Sequence, residues 1–202
     1  LYIPQHFLEN DPARLEKLID TYPFGTLITL ADGRPFATHL PFIYDRDAGL
    51  LLAHVARANP QWRQLEGQPA AMAIFQGPHG YISPTWYVEP GVPTWDYAVV
   101  HVYGTGRAID DAAATRSQVE RLAARHERGN RPPWRPDYDA RMLAGIVGIE
   151  IRIERIEGKF KLSQNRSAAD RAAVMAKLVA RGGDDDLALA RLIESAGAGA
   201  AD

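Results

Sequence analysis

The sequence predicts an α+β, mainly β protein: an antiparallel barrel or sheet with helices packed outside it. Three observations point there. Six to eight apolar or alternating runs are separated by turn signals. The helical patterns fall between hairpins or at the end of the chain, without the regular strand–helix alternation of a parallel sheet. Ala31-Asp32-Gly33 separates two apolar runs, a hairpin signature.

Taken in order, residues 11–21 form a helix, with Asp11 as cap, Pro12 in the first turn, and Leu15, Leu18 and Ile19 on one side. Residues 24–30 and 34–43 make the first hairpin, where Pro35 and Pro41 belong at edges, bulges or strand ends. A third strand covers 49–54, and Asn59-Pro60 opens a helix over 60–66. Residues 70–76 read as a buried strand broken by Gly77-Pro78, resuming over 79–87. After a loop at 88–93, the run 94–107 is a long strand with Tyr97, Val99, His101 and Tyr103 on one face. Gly104 and Gly106 mark a bulge or close backbone packing in it.

A helix follows from Asp110 or Asp111 to about 128, then a Pro-rich loop at 129–136 and a short helix over 138–144. Residues 146–156 alternate: Val147, Ile149, Ile151 and Ile153 face one way, Glu150, Arg152 and Glu154 the other. Glu157-Gly158 reads as a turn into a last strand, 159–163. Ser167 with Asp170 resembles a capping box for a helix to Arg181. Gly182-Gly183 breaks it, a last helix covers 185–195, and the Ala/Gly-rich end is expected to fray. The expected organisation is a barrel domain over 1–166 and a helical extension over 167–202 packed on the same domain.

Composition narrows the function. The chain has 202 residues, enough for one sizeable core, with 46% hydrophobic and 24% charged residues. No run has the apolar length of a membrane span, and no signal peptide pattern opens the chain, so a cytoplasmic, membrane-free protein is expected. Without cysteine there are no disulfides, thiolate metal sites or cysteine nucleophiles. A formal net charge of −2 argues against a general nucleic-acid binder and leaves room for a local basic patch. The six histidines are scattered without metal-ligand spacing, so no metal is expected. No serine sits in a G-x-S-x-G context, and no catalytic residue can be assigned.

Three stretches carry more chemistry. At 51–62 a strand delivers His54, Arg57 and Asn59 to a helix start, which is either an anion site or an ordinary capped corner with a surface arginine. Tyr81, Trp86, Tyr87, Trp95, Tyr97 and Tyr103 are interleaved with His79, Ser83, Thr85, Thr94, Asp96 and His101. That pattern suits a wall for a planar heteroaromatic ligand, or an aromatic subunit interface, or both at once. In the third stretch Lys159 and Lys161 share a strand face, followed by Gln164, Asn165 and Arg166. Together the three describe a ligand with a planar ring and an anionic end, a description FMN meets. The loops that hold NAD or ATP are missing.

Longer strings add a resemblance. YIPQHF at 2–7, PFGTLIT at 23–29, ATHLPF at 37–42, HVARANPQW at 54–62, FQGPHGYISPTWY at 75–87, VPTWDYAVVHVYG at 92–104, PPW at 132–134 and IVGIEIRIERIEGKFKLSQNR at 146–166 are similar to the PaiB family, FMN-binding negative transcriptional regulators of the FMN-binding split-barrel type. The resemblance covers about residues 2–179, and Asp96 departs from the asparagine usual in the family.

The resemblance implies a split barrel, a homodimer with FMN at the interface, and repression of transcription through DNA, directly or indirectly. It places Arg57 and Asn59 at the phosphate end, with Gln61 and Trp62 completing that corner and Thr38 and His39 on the neighbouring strand near the flavin; His54, in the matching segment 54–62, is a further candidate for binding the cofactor. Trp86, Thr94 and Trp95 would form the opposite wall, from the second subunit, and Lys159, Lys161 and Gln164 would close the site. The alternative within the same fold is an NAD(P)H-linked flavin oxidoreductase, with His39, His54 or Tyr97 as proton donor. The tail helices make a poor DNA reader, because Asp184, Asp185 and Asp186 stand in their connection.

Overall fold

A computed structural model describes residues 1–198. Its strands are β1 (Leu8–Glu9), β2 (Phe24–Ala31), β3 (Arg34–Pro41), β4 (Ile43–Asp45), β5 (Leu50–Ala56), β6 (Ala70–Ile82), β7 (Thr94–Ile109) and β8 (Ile146–Lys161). Its helices are α1 (Pro12–Thr21), α2 (Gln61–Gly67), α3 (Ala112–His126), α4 (Ala140–Ala144), α5 (Ala168–Arg181) and α6 (Asp184–Ala198). The strands form one sheet in the order β3-β2-β6-β7-β8-β5-β4, with β1 beside β8. The path begins and ends on unpaired edges, so the sheet is open, as a split barrel requires. Among the described residues no helix is long and apolar enough to cross a membrane.

By its contacts the chain divides into two compact units, and the long strands β6, β7 and β8 contribute residues to each. The first unit comprises 1–18, 76–100 and 157–202. Its buried apolar side chains include Phe7, Leu15, Ile82, Phe160, Leu162 and Leu178. α5 and α6 belong to it. Ser167 caps α5 by accepting the Asp170 amide, and Gly182 ends the helix in a left-handed conformation (φ 75°).

The second unit comprises 19–75 and 101–156. The Asp32-Gly33 turn has the two positive φ angles of a tight hairpin, 51° and 72°, and sets the register Thr26↔His39 and Leu27↔Thr38. Leu27, Phe42, Leu51, Phe75, Ile149 and Ile151 are almost wholly buried. Phe42 and Phe75 meet edge to face at 5.3 Å. Asp111 and Asp139 cap α3 and α4 by accepting the Ala114 and Met142 amides.

Several elements differ from the sequence reading. β1 and β4 lie in stretches read as non-strand or as part of a longer strand; Phe42 separates β3 from β4, its amide donating to the Pro23 carbonyl at 2.9 Å, and β4 pairs with β5 instead of β2. β6 does not break at Gly77-Pro78. Its pairing with β2 covers only Met72 to Ile74, so Pro78 owes no amide to that neighbour. β8 does not turn at Glu157-Gly158 either. Gly158 pairs with Glu9, and a side chain there would collide with Leu15 and the Glu9 backbone, so the glycine marks a close approach. At Gly104 the same reason holds, since a Cβ would overlap the Arg152 carbonyl. The last helix extends to Ala198, through the first residues expected to fray; 199–202 lie outside the described residues.

Candidate functional site

The residues singled out from the sequence fall into two sets, one in each unit. In the 19–75/101–156 unit, β3 is an edge strand. Thr38 on it accepts the Asn59 side-chain amide at 3.0 Å, while Asn59 Oδ1 accepts the Gln61 amide at 2.9 Å. Asn59 thus holds the first amide of α2, whose N-cap position is taken by Pro60, and ties the helix start to the sheet edge. His39 is exposed, with its Nδ1 2.9 Å from Thr26 Oγ1, and its ring lies 6.5 Å from Phe24, tilted by 27°. Phe24 is itself 66% exposed.

Arg57 follows the end of β5 and is held on several sides. Its Nε donates to the Ala144 carbonyl at 2.6 Å, and Nη2 donates to the Ile146 carbonyl at 3.1 Å. Two guanidinium nitrogens meet the Asp110 carboxylate at 3.2 and 2.5 Å. The Asp110 contact raises the Arg57 pKa, and Arg57 in turn holds Asp110 below the ordinary carboxylate range. Trp62 Nε1 donates to the Arg57 carbonyl at 3.1 Å.

Gln61 faces inward with no exposed surface, its amide shared among Leu27 O, Thr29 Oγ1 and Phe36 O. His54, half-buried on β5, lines an open cavity of about 370 Å³ with Val119, Leu122, His126 and Tyr138. Burial pushes its pKa down, so the imidazole is neutral at pH 7.

In the 1–18/76–100/157–202 unit, Trp95 is 54% exposed; His79 stacks near it at 6.2 Å and Tyr81 meets it edge-on at 6.1 Å. Lys159 and Lys161 share a face, as the alternation with buried Phe160 and Leu162 predicts. Their surroundings differ. Lys161 donates to Thr94 Oγ1 and the Trp95 carbonyl at 2.7 Å and to Asp96 Oδ1 at 3.2 Å. Among the described residues Lys159 has ring neighbours only, Tyr2 and Tyr97, each with its centroid 5.6 Å from the ammonium.

The Gln164 amide is used within its own turn, accepting the Leu162 amide at 2.6 Å and donating to the Phe160 carbonyl at 2.5 Å. Trp86 lies under the Arg181 guanidinium at 5.3 Å, and the same guanidinium donates to the Tyr81 carbonyl at 3.3 Å. Phe24, Tyr2 and Asp110 were not singled out for this chemistry. The alternation in β2 places Phe24 on the face of Thr26 and Ile28, opposite buried Leu27, and was the available signal. Asp110 and Asp111 were interchangeable as caps until the structure assigned the cap to Asp111 and the ion pair to Asp110.

Each set by itself suits part of a flavin. In the 1–18/76–100/157–202 unit an exposed, stacked Trp95–His79 pair can take a planar ring, and among the described residues Lys159 has no acid partner. In the 19–75/101–156 unit Thr38, His39 and Asn59 present short polar groups at a sheet edge.

Comparison with known proteins agrees. The family “Putative FMN-binding domain” matches residues 1–155. Protease synthase and sporulation protein PAI 2 of Bacillus subtilis is 36% identical over 184 residues, covering 88% of this chain and 89% of that protein. The chain belongs to the PaiB family. Its cofactor is FMN. As a PaiB-family member it shares its fold with solved flavoprotein structures. One is the flavocytochrome Anf3 from Azotobacter vinelandii, with TM-score 0.64, 16% identity, and 79% and 72% of the two chains covered. Another is the FAD and heme binding protein from Mycobacterium smegmatis, with TM-score 0.64, 21% identity, and 88% and 80% covered. At such identities these likenesses bear on the fold alone.

Proposed function

We propose that this chain is an FMN-binding negative transcriptional regulator of the PaiB type, with the flavin held between two copies of the chain. Residues 1–166 are then the flavin domain and 167–202 its helical extension. The observation that carries this reading is the exposed Trp95–His79–Tyr81 group in the same unit as Lys159, a cation between the Tyr2 and Tyr97 rings that has no carboxylate partner among the described residues. Exposed aromatic surface of this kind is expected to be covered by a ligand, a second subunit or both. The name of the Bacillus relative, a protease synthase and sporulation protein, supports regulation as the role.

In this arrangement one protomer supplies Thr38, His39, Asn59 and Arg57, and its partner supplies Trp95, Thr94 and Lys159. When bound, FMN supplies a redox-active isoalloxazine. The residues of the chain have separate tasks. Trp95 offers a stacking face, Lys159 neutralises negative charge, and His39, oriented by Thr26, presents a titratable ring at the sheet edge. Arg57 is held by the Asp110 carboxylate and must release it to grasp a phosphate. Gln61, Gln164 and Lys161 hold the backbone of the site. Trp62 braces the Arg57 corner and His54 lines the cavity with Val119 and Tyr138, while Trp86 supports the wall from the side of Arg181.

The test is purification with added FMN, removal of excess, and measurement of the oxidised-flavin absorption bands, sedimentation mass and retention of promoter DNA. The reading expects retained flavin in a dimer that holds DNA and is not bleached by NADH or NADPH. Rapid bleaching without DNA retention would replace it by the oxidoreductase alternative.

A further inference from the structure

Charge is unevenly spread along this chain. The formal net charge is −2, yet residues 112–136 contain six arginines against two acids, Glu120 and Glu127. The structure gathers four of these arginines along one surface. Arg121, Arg125 and Arg128 line an open cavity of about 600 Å³ with Asp20, Ile43 and Tyr44. A second open cavity of about 440 Å³ shares Arg128 and continues to Arg131 and Trp134. The row therefore runs from α3 into the Pro-rich loop, with Glu120 and Glu127 also on the wall of the second cavity.

The acids nearby do not neutralise it evenly. Arg121 is paired with Asp45 at 2.8 Å and Arg125 with Asp20 at 3.2 Å, which anchors the helix end of the row. Glu127 is turned to the loop, accepting the Asn130 side-chain amide at 2.8 Å and the Trp134 amide at 2.9 Å. Among the described residues Arg128 and Arg135 have no hydrogen bond or ion pair, and the Arg131 guanidinium donates only to the Asn130 carbonyl. Trp134 stands 50% exposed in the same loop. Arg121 to Arg128 span about 10 Å along a helical path at ~1.5 Å per residue. That matches about three phosphates of one DNA strand at ~3.4 Å of axial rise each.

We propose that the arginine row of α3 and the loop after it is a docking surface for the phosphodiester backbone of duplex DNA. The proposal rests on the regulator reading and gives it a contact surface that the acidic connection of the tail helices cannot supply. Phosphate contacts of this kind position a protein on DNA without reading bases, so they give affinity and a steep salt dependence to any duplex.

The experiment measures fluorescence anisotropy of a labelled duplex of scrambled sequence with the FMN-loaded protein across a salt series, for wild type and for the double variant Arg128→Gln/Arg131→Gln. These side chains are exposed, so thermal midpoint and flavin retention should be unchanged. The single variant Arg128→Gln serves if the double one folds poorly. The expected result is at least about tenfold weaker binding at ~0.1 M salt and a log–log salt slope shallower by about 2 for the double variant, about 1 for the single. Equal affinity and slope would overturn this surface and leave the regulator reading standing. A wild type that binds no duplex even at ~0.05 M salt would overturn this surface together with direct DNA binding. Displacement of the duplex by ATP at micromolar concentration would overturn it in favour of a free-nucleotide site.

Discussion

Lys161 and Asp96 form an ion pair at 3.2 Å in which the carboxylate has no exposed surface. The same carboxylate accepts the Ser163 hydroxyl at 2.5 Å, so it joins the end of β8 to the start of β7. Burial pushes the Asp96 pKa up despite the Ser163 and Lys161 contacts. A carboxylate that binds its proton more tightly when folded stabilises at low pH, and this contribution is lost as pH rises from the unfolded value near 3.8 through the folded one. Asp96→Asn should therefore remove a pH-dependent component. The thermal midpoint of wild type relative to Asp96→Asn should fall as pH rises through the acid range. Asp96→Ala, which leaves Ser163 and Lys161 short of an acceptor, should cost about 2–4 kcal/mol in denaturant unfolding, and Asn about 1.

Asp170 behaves in the opposite sense. Burial pushes its pKa up, but the Glu89 and Val88 amides and the Arg166 guanidinium outweigh it and hold the carboxyl below the ordinary range. Stability from Asp170 is present above pH 3.8 and lost as pH falls through the lower folded value. Asp170→Asn should flatten that acid loss. It should also loosen the loop at 88–93, raising its rate of cleavage in limited proteolysis by about tenfold, because two loop amides lose their charged acceptor.

For His54, the lowered pKa means that the unfolded chain takes up a proton before the folded one does. Stability is full above the unfolded value near 6.5 and declines as pH falls from there toward the folded value. NMR titration of the wild type should place the His54 midpoint below 6.5, and His54→Gln should reduce the drop in thermal midpoint between pH 7 and pH 5.5.

Arg57 and Asp110 make a paired prediction. Arg57→Ala should weaken FMN binding by about tenfold or more, since it removes a charge-assisted donor. Asp110→Asn should tighten it several-fold, because the guanidinium loses a competing carboxylate. Isothermal titration with FMN measures both. A loss of affinity in Asp110→Asn would show that the ion pair orients Arg57 for the ligand.

Much of the sheet was legible because alternation is a local signal. Val147, Ile149 and Ile151 point inward together, as do Ala98, Val100 and Val102. The failures came where a local punctuation mark served a distant contact. Gly158 admits Leu15 and Glu9, and Pro78 lies past the end of the pairing with β2. The Asp170 carboxylate, expected to close a box at its own helix start, instead reaches the loop amides of Val88 and Glu89.

The candidate site shows the same division. Residue types suggest candidates, but partners decide which groups are available. Lys159 and Lys161 look alike in sequence, and only the structure shows that Thr94, Trp95 and Asp96 surround one of them. Gln61 and Gln164 have the chemistry of ligand donors, yet both spend their amides on backbone.

The most direct measurement is a titration of FMN into the wild type, Trp95→Ala and Lys159→Ala, followed by quenching of flavin fluorescence. Both side chains are at the surface of their unit, and neither substitution should unfold it. The account predicts saturable quenching in the wild type and at least about tenfold weaker binding in each variant, from the lost stacking face and the lost cation. Wild-type affinity in both variants would contradict it and place the flavin elsewhere on the chain.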